Sequence, residues 1–247
     1  DSAPPVLPAE RLEVPVLIVG GGRAGLTAAA TLGKRATLVD DGHTLGGALT
    51  ALDPQLAATL TSQAHAASAR LLPHSSVLAL SREPEDGSGR INALVVGAER
   101  TRVLRCQAVL LATGRHDAVP AFPNNDLPGS GSARSAPVAG RSDVLVGNRI
   151  GVVGSGRYAA RLVEQMAGAV ELFALDAASV VRAIGRERVS GVEVRSDEGR
   201  TRRIKVNALV FDGPGAPSFE LAVQAGASVD FDPNAGYFPR ADPSGLV

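Results

Sequence analysis

Cysteine is nearly missing from this 247-residue sequence: Cys106 is the only one. A disulfide framework, a thiolate metal site and an intrachain CxxC pair are thereby excluded, so any redox chemistry must belong to a cofactor. Lysine is scarce as well, confined to Lys34 and Lys205, and the arginines are interspersed with acids to a formal net charge of zero. That leaves no basic block or stripe to grip nucleic acid phosphates independently of sequence. Long apolar runs are absent too, none approaching the roughly 18 residues that cross a bilayer. The opening DSAPPVLPAERLE is acidic and proline-rich where a signal peptide would be basic and then apolar. The expectation is a cytoplasmic protein with no nucleic acid or membrane partner. With 45% apolar and 20% charged residues, the chain can bury a real core in one or two domains.

What is present is a repeated grammar. Residues 15–29 read PVLIVGGGRAGLTAA and residues 149–163 read RIGVVGSGRYAARLV. Each runs a short strand into glycines spaced GxGxx(G/A) and on into an alanine-rich helix. In the first copy Gly20 permits the tight turn, Gly22 lets the backbone approach a diphosphate, and Gly25 lets helix and strand pack. The helix start at Arg23 and Ala24 offers unpaired N–H groups to an anion. Asp40 ends the second strand, twenty residues after Gly20, where an acid can accept hydrogen bonds from ribose hydroxyls. Asp41 is the alternative ribose ligand, because the stretch between Gly25 and Asp40 is short for such a fold. Gly46 and Gly47 follow in HTLGG, small enough for the chain to pass close to phosphates. In the second copy Gly154, Gly156 and Ala159 hold the corresponding places.

Around these motifs the periodicity predicts strands at Val14–Val19 and Ala36–Val39 and a helix from about Ala24 to Leu32. Asp53 followed by Pro54 starts another helix, expected to run to about Leu71, with Pro73 as its stop. SSVLAL, INALVVG and TRVLRCQ read as an antiparallel meander interrupted by EPEDGSG, and Ala108–Leu111 as a further buried strand ending at Ala112, Thr113 and Gly114. Val119–Asn148 has linker composition. The second half then predicts strands at Ile150–Val153, Val170–Leu175 and Ala208–Phe211, a helix at about Tyr158–Ala167 and a hairpin through Val189–Arg195 and Arg203–Val206. A helix at about Ser218–Ala225 and an irregular tail complete the reading.

VLIVGGGRAGL, LGG, VLLATG, FPNNDLPG, VVGSGRYAA and FELAVQAGASVDFD together resemble the flavoprotein superfamily with two dinucleotide-binding domains. Within it the sequence is most similar to the alpha or large subunits of heteromeric amine and amino acid oxidoreductases: sarcosine oxidase, opine oxidase, hydrogen cyanide synthase and dye-linked proline dehydrogenase. The resemblance implies an α/β, FAD/NAD(P)-binding Rossmann-like fold with a second, shortened nucleotide-binding domain and an antiparallel β-meander. Its domains would be residues 11–120 (FAD-binding, first part), 121–212 (second, NAD(P)-type) and 213–247 (partial return). It assigns Gly20, Gly22, Gly25, Asp40, Gly46, Gly47, Ala112, Thr113 and Gly114 to FAD, and Gly154, Gly156 and Ala159 to NAD(P) or another adenine nucleotide. It also implies a partner subunit carrying the substrate site.

Two departures from the family pattern bear on function. After Leu175 and Asp176 the chain reaches VVRAIGRERVSGVEV sooner than the pattern implies, so the second site either works or is a relic. No Gly-Asp dipeptide, whose acid reaches the ribityl chain in the family, occurs in the sequence. Either a partner completes the flavin-ring pocket, or the chain keeps only an adenine nucleotide in a structural role; an NAD(P)H-dependent flavin reductase is the third reading. His43 and His116 flank the expected cofactor as surface loop histidines. No nucleophile elbow, metal cluster or catalytic carboxylate pair is visible, and no catalytic residue is assigned.

Overall fold

Charge alternates with hydrophobe in ERLEVPVLIV, and the first strand uses both. The computed structural model describes residues 8–82, 89–117, 119–136, 139, 146–233 and 236–240. In it β1 spans Glu10–Val19, four residues longer than the apolar run predicts. The extra length lies alongside a strand at Thr101–Leu111, in register Glu10↔Arg102 and Glu13↔Arg105. Glu10 pairs with Arg102 at 3.0 Å and Glu13 with Arg105 at 3.4 Å, the opposite-charge neighbours that favour strand pairing.

Contacts divide the chain into two units, one reaching to Arg115 and resuming at Pro217, the other His116–Ala216. The first unit is built on a six-stranded sheet. Its strands are β1, β2 (Ala36–Val39), β3 (Arg70–Leu72), β4 (Ser75–Arg82), β5 (Ile91–Gly97) and β6 (Thr101–Leu111), in the order β3-β2-β1-β6-β5-β4. The first four in that order are parallel; β5 and β4 add antiparallel pairs. Successive residues of β1 point to opposite faces. Ile18 packs with Leu26, Ala29, Leu38 and Ala64, beneath α1 (Arg23–Leu32) and α3 (Pro54–Ala66), while Leu17 and Val19 join Val39, Val95 and Leu104 on the other side. A single-turn helix α2 (Leu49–Leu52), not foreseen, links β2 to α3.

In the second unit β7 (Ser130–Ser132), β8 (Arg149–Val153), β9 (Glu171–Leu175) and β13 (Ala208–Phe211) form a parallel sheet, with β13 between β8 and β7. Helix α4 (Arg157–Met166) follows β8, burying Tyr158, Ala159 and Leu162. An antiparallel sheet of β10 (Val180–Gly185), β11 (Val189–Arg195) and β12 (Thr201–Ile204) shares a core with the parallel one through Val153, Val192, Leu209 and Phe211. On its return to the first unit the chain forms α5 (Glu220–Gln224) and a hairpin of β14 (Val229–Asp232) and β15 (Gly236–Pro239). The Gln224 side-chain oxygen accepts from Leu80 N–H at 3.1 Å, fastening α5 to β4.

Several expectations are corrected. The helix opened by Asp53 ends at Ala66. Ser68 adopts φ +62°, and Arg70–Leu72 becomes a strand because β2 offers a parallel partner, in register Thr37↔Arg70. The third meander piece and the strand after it are one element, β6, which pairs with β5 along one part and with β1 along most of its length. The linker contains the edge strand β7, the strand β10 has no counterpart in the sequence reading, and the described part of the tail pairs Gly236–Pro239 with Val229–Asp232. The insert at 83–88 and residues 241–247 lie outside the described residues. No helix among the described residues is long and apolar enough to cross a membrane.

The Asp53 carboxylate accepts the Leu56 N–H at 2.9 Å, with Pro54 at the first helical position. Asp53→Ala therefore lowers unfolding free energy by about 1 kcal/mol, measured by urea denaturation against the wild-type chain.

Candidate functional site

The first glycine turn is held on both sides by backbone. Gly20 N–H donates to the Val39 carbonyl at 2.8 Å, and Ala112 N–H to that of Val19 at 2.8 Å. Gly20 has φ +105°, and a Cβ there would overlap the Ala112 carbonyl, so only glycine makes this turn. A Cβ on Gly25 would overlap the Gly20 carbonyl still more, so glycine there lets α1 start tight against β1. Gly22 is different: its backbone is at φ −75°, ψ −170°, open to any residue, and nothing lies within 4 Å of where its Cβ would be. Arg23, Ala24 and Gly25 begin α1, whose first-turn amides have no carbonyl partner within the helix and no side-chain cap from Gly22. An open space therefore faces a row of N–H donors at the positive end of a helix, which suits a diphosphate.

The Asp40 carboxylate is already engaged. One oxygen accepts Gly21 N–H at 2.6 Å and the other Gly42 N–H at 2.9 Å. It braces the turn at the end of β2, and each carboxylate oxygen has a second lone pair. Asp41 beside it is exposed. Gly46 N–H donates to the Gly21 carbonyl at 2.7 Å, and a Cβ on Gly47 would lie 3.1 Å from the Cα of Gly22. The HTLGG loop thus runs along the turn. Thr113 donates its hydroxyl to the Ser218 carbonyl at 3.2 Å, and exposed Gly114 accepts the Ser218 N–H at 3.1 Å. Gly20, Gly22, Arg23, Ala24, Gly25, Asp40, Gly46, Gly47, Ala112 and the Thr113 backbone therefore gather at one turn, while the Thr113 side chain and Gly114 tie the chain's return at Ser218.

Gly154, Gly156 and Ala159 build a second turn after β8, with Gly154 at φ +96°. Here the space in front of the middle glycine is filled by the carboxylate of Asp212, a residue the sequence reading did not single out. The residues present do not fit a diphosphate at this turn as they do at the first. The signal lay in the repeat itself: aligning the strand ends AVLLA (108–112) and ALVFD (208–212) sets Asp212 opposite Ala112. His43 stacks edge-on against His74, ring centroids 4.8 Å apart, on exposed loops. Among the described residues no group of three or more His, Cys, Asp or Glu is arranged to hold a metal ion.

The sequence profile of the pyridine nucleotide-disulphide oxidoreductases matches residues 14–201. The chain belongs to that family. Its members are FAD- and NAD(P)-dependent oxidoreductases, and membership implies both cofactors. No curated protein sequence matches. Among solved structures, L-proline dehydrogenase from P. horikoshii aligns with TM-score 0.78 at 24% identity, over 98% of this chain and 51% of that one. Thioredoxin reductase of T. acidophilum aligns with TM-score 0.66 at 16% identity, over 94% and 85%. Bacillithiol disulfide reductase of Staphylococcus aureus gives 0.66 at 13%, over 94% and 85%. At these identities the likeness is one of fold. The chain spans about half the length of the proline dehydrogenase chain.

The disulphide of the family's name has no counterpart in this sequence. Cys106 is buried on β6, and burial, with a lesser contribution from the charge of Glu13, pushes its thiol from 9.0 up to about 12. At neutral pH it is protonated and shielded, neither nucleophile nor redox partner.

Three outcomes follow from these geometries. Gly22→Val should fold with an unfolding midpoint near wild type while retaining at least about tenfold less dinucleotide, because the added side chain fills the space before the amides; Gly20→Ala should instead fail to fold stably. Both are read by thermal melt and nucleotide extraction. Cys106 should resist iodoacetamide at pH 8 in the native chain and react once unfolded, as mass spectrometry would record; rapid native labelling would contradict its burial.

Proposed function

We propose that the chain binds FAD at the first glycine turn and acts as the FAD-binding subunit of a heteromeric amine or amino acid oxidoreductase. The observation that carries this is the open face of Gly22 before the uncapped start of α1. Backbone amides of Arg23, Ala24 and Gly25 would take the diphosphate, and Asp40, fixed by Gly21 and Gly42, would present its remaining lone pairs to a ribose. Gly46 and Gly47 would let the loop pass beside the phosphates. When bound, FAD supplies the electron-accepting ring; the protein's part is to place it and shape its surroundings.

Two further points support the amine or amino acid class over a disulfide substrate. The sole cysteine is buried and protonated, so this sequence offers no dithiol to exchange electrons with the flavin. The fold likeness to a proline dehydrogenase is also higher, at TM-score 0.78, than that to thioredoxin reductase at 0.66. In this reading the substrate site belongs to a partner subunit.

Purified protein should show a flavin absorbance spectrum and release FAD equimolar with chain on acid extraction. The colour should bleach on adding an amine or amino acid only when a co-expressed partner is present. Colourless protein releasing an adenine nucleotide alone would replace this reading with a non-redox, structural one, and bleaching by NADH without a partner would replace it with a flavin reductase.

A further inference from the structure

The two glycine turns share a backbone and differ in what stands before them. Gly20 and Gly154 have φ +105° and +96°. Gly22 and Gly156 have φ/ψ of −75°/−170° and −73°/−176°. Gly154 N–H donates to the Leu175 carbonyl at 2.9 Å, as Gly20 N–H does to Val39 at 2.8 Å. The residue just after the adjoining strand closes each turn: Ala112 N–H donates to the Val19 carbonyl at 2.8 Å, and Asp212 N–H to that of Val153 at 2.9 Å. Asp212 is thus the positional counterpart of Ala112, and at this pair the repeats part.

Ala112 offers a methyl group, whereas Asp212 folds its carboxylate back over the start of α4. Oδ2 accepts the Ala159 N–H at 2.7 Å. A Cβ on Gly156 would lie 2.6 Å from each carboxylate oxygen, while at Gly22 nothing stands within 4 Å. Two forces favour a carboxylate there: amides lacking a carbonyl partner and the positive end of the helix dipole. They are the forces that would hold a diphosphate. The two anions want the same donors and repel one another at short range, so they cannot share the turn.

We propose that Asp212 is a built-in anion that holds the second glycine turn closed to nucleotide diphosphates, so that NAD(P)H enters only by displacing its carboxylate. The turn then acts as an internal tie between the end of β13 and the start of α4, its amide satisfied without a ligand. This does not depend on which nucleotide fills the first turn.

The test titrates NADH and NADPH calorimetrically into the full chain under saturating FAD, and into Asp212→Ala, Asp212→Asn and the double variant Asp212→Ala/Gly156→Val. Removing the competing charge in Asp212→Ala should tighten NADH or NADPH binding by about tenfold or more. Asp212→Asn, which loses the charge but keeps an oxygen, should gain less. FAD content should not change, and adding Gly156→Val should abolish the gain, which locates it at this turn. Thermal melts establish that each variant folds, and Asp212→Asn decides the matter if Asp212→Ala does not fold. Unchanged or weaker binding in a folded variant, or a gain that survives Gly156→Val, would overturn the proposal.

Discussion

A strand that turns directly into a helix leaves the helix's first amides facing outward without carbonyl partners, and something electronegative has to meet them. This requirement governs both halves of the chain. In the first, Asp40 takes up Gly21 and leaves the space before Gly22 open, where in the proposed reading a diphosphate would meet the amides. In the second, Asp212 completes it from within. In that reading the same backbone would serve as a receptor in one unit and as a joint in the other, with Ala112 or Asp212 after the neighbouring strand making the difference.

Much of the scaffold around these turns was legible in the sequence because its signals are local. Ala36–Val39 and Ala208–Phe211 are short β-prone runs, apolar but for Thr37 and buried at every position, and the sequence places both to the residue. Asp53-Pro54 announced a capped helix start that the structure contains. The errors occur where a distant neighbour decides. Arg70–Leu72 continues a helical apolar spacing, yet β2 supplies a parallel edge that captures it after Ser68 turns left-handed. Glu10–Glu13 reads as polar leader, but arginines on β6 make it strand. Val229–Asp232 and Gly236–Pro239, rich in Asp, Pro and Gly, become strands by pairing with each other.

The candidate site divides along the same line. Glycine positions could be read because each answers a backbone need: positive φ at Gly20 and Gly154, close approach at Gly25. What fills the space before a turn is a side-chain matter, set by a residue more than fifty positions further on in the chain, as the separation of Ala159 and Asp212 illustrates. The motif alone therefore reports both turns as nucleotide sites. For a family whose members use FAD and NAD(P), the two halves of this chain are unequally equipped. With Cys106 buried and protonated, the chain's own redox capacity reduces to the flavin it would hold at the first turn.

A crystal structure of the chain grown with FAD tests the central claim most directly. The expected result is the diphosphate seated before Gly22 against the first-turn amides of α1, with Asp212 still resting on Ala159. A diphosphate found at Gly156 with Asp212 swung away, or a first turn that stays empty under saturating FAD, would contradict it.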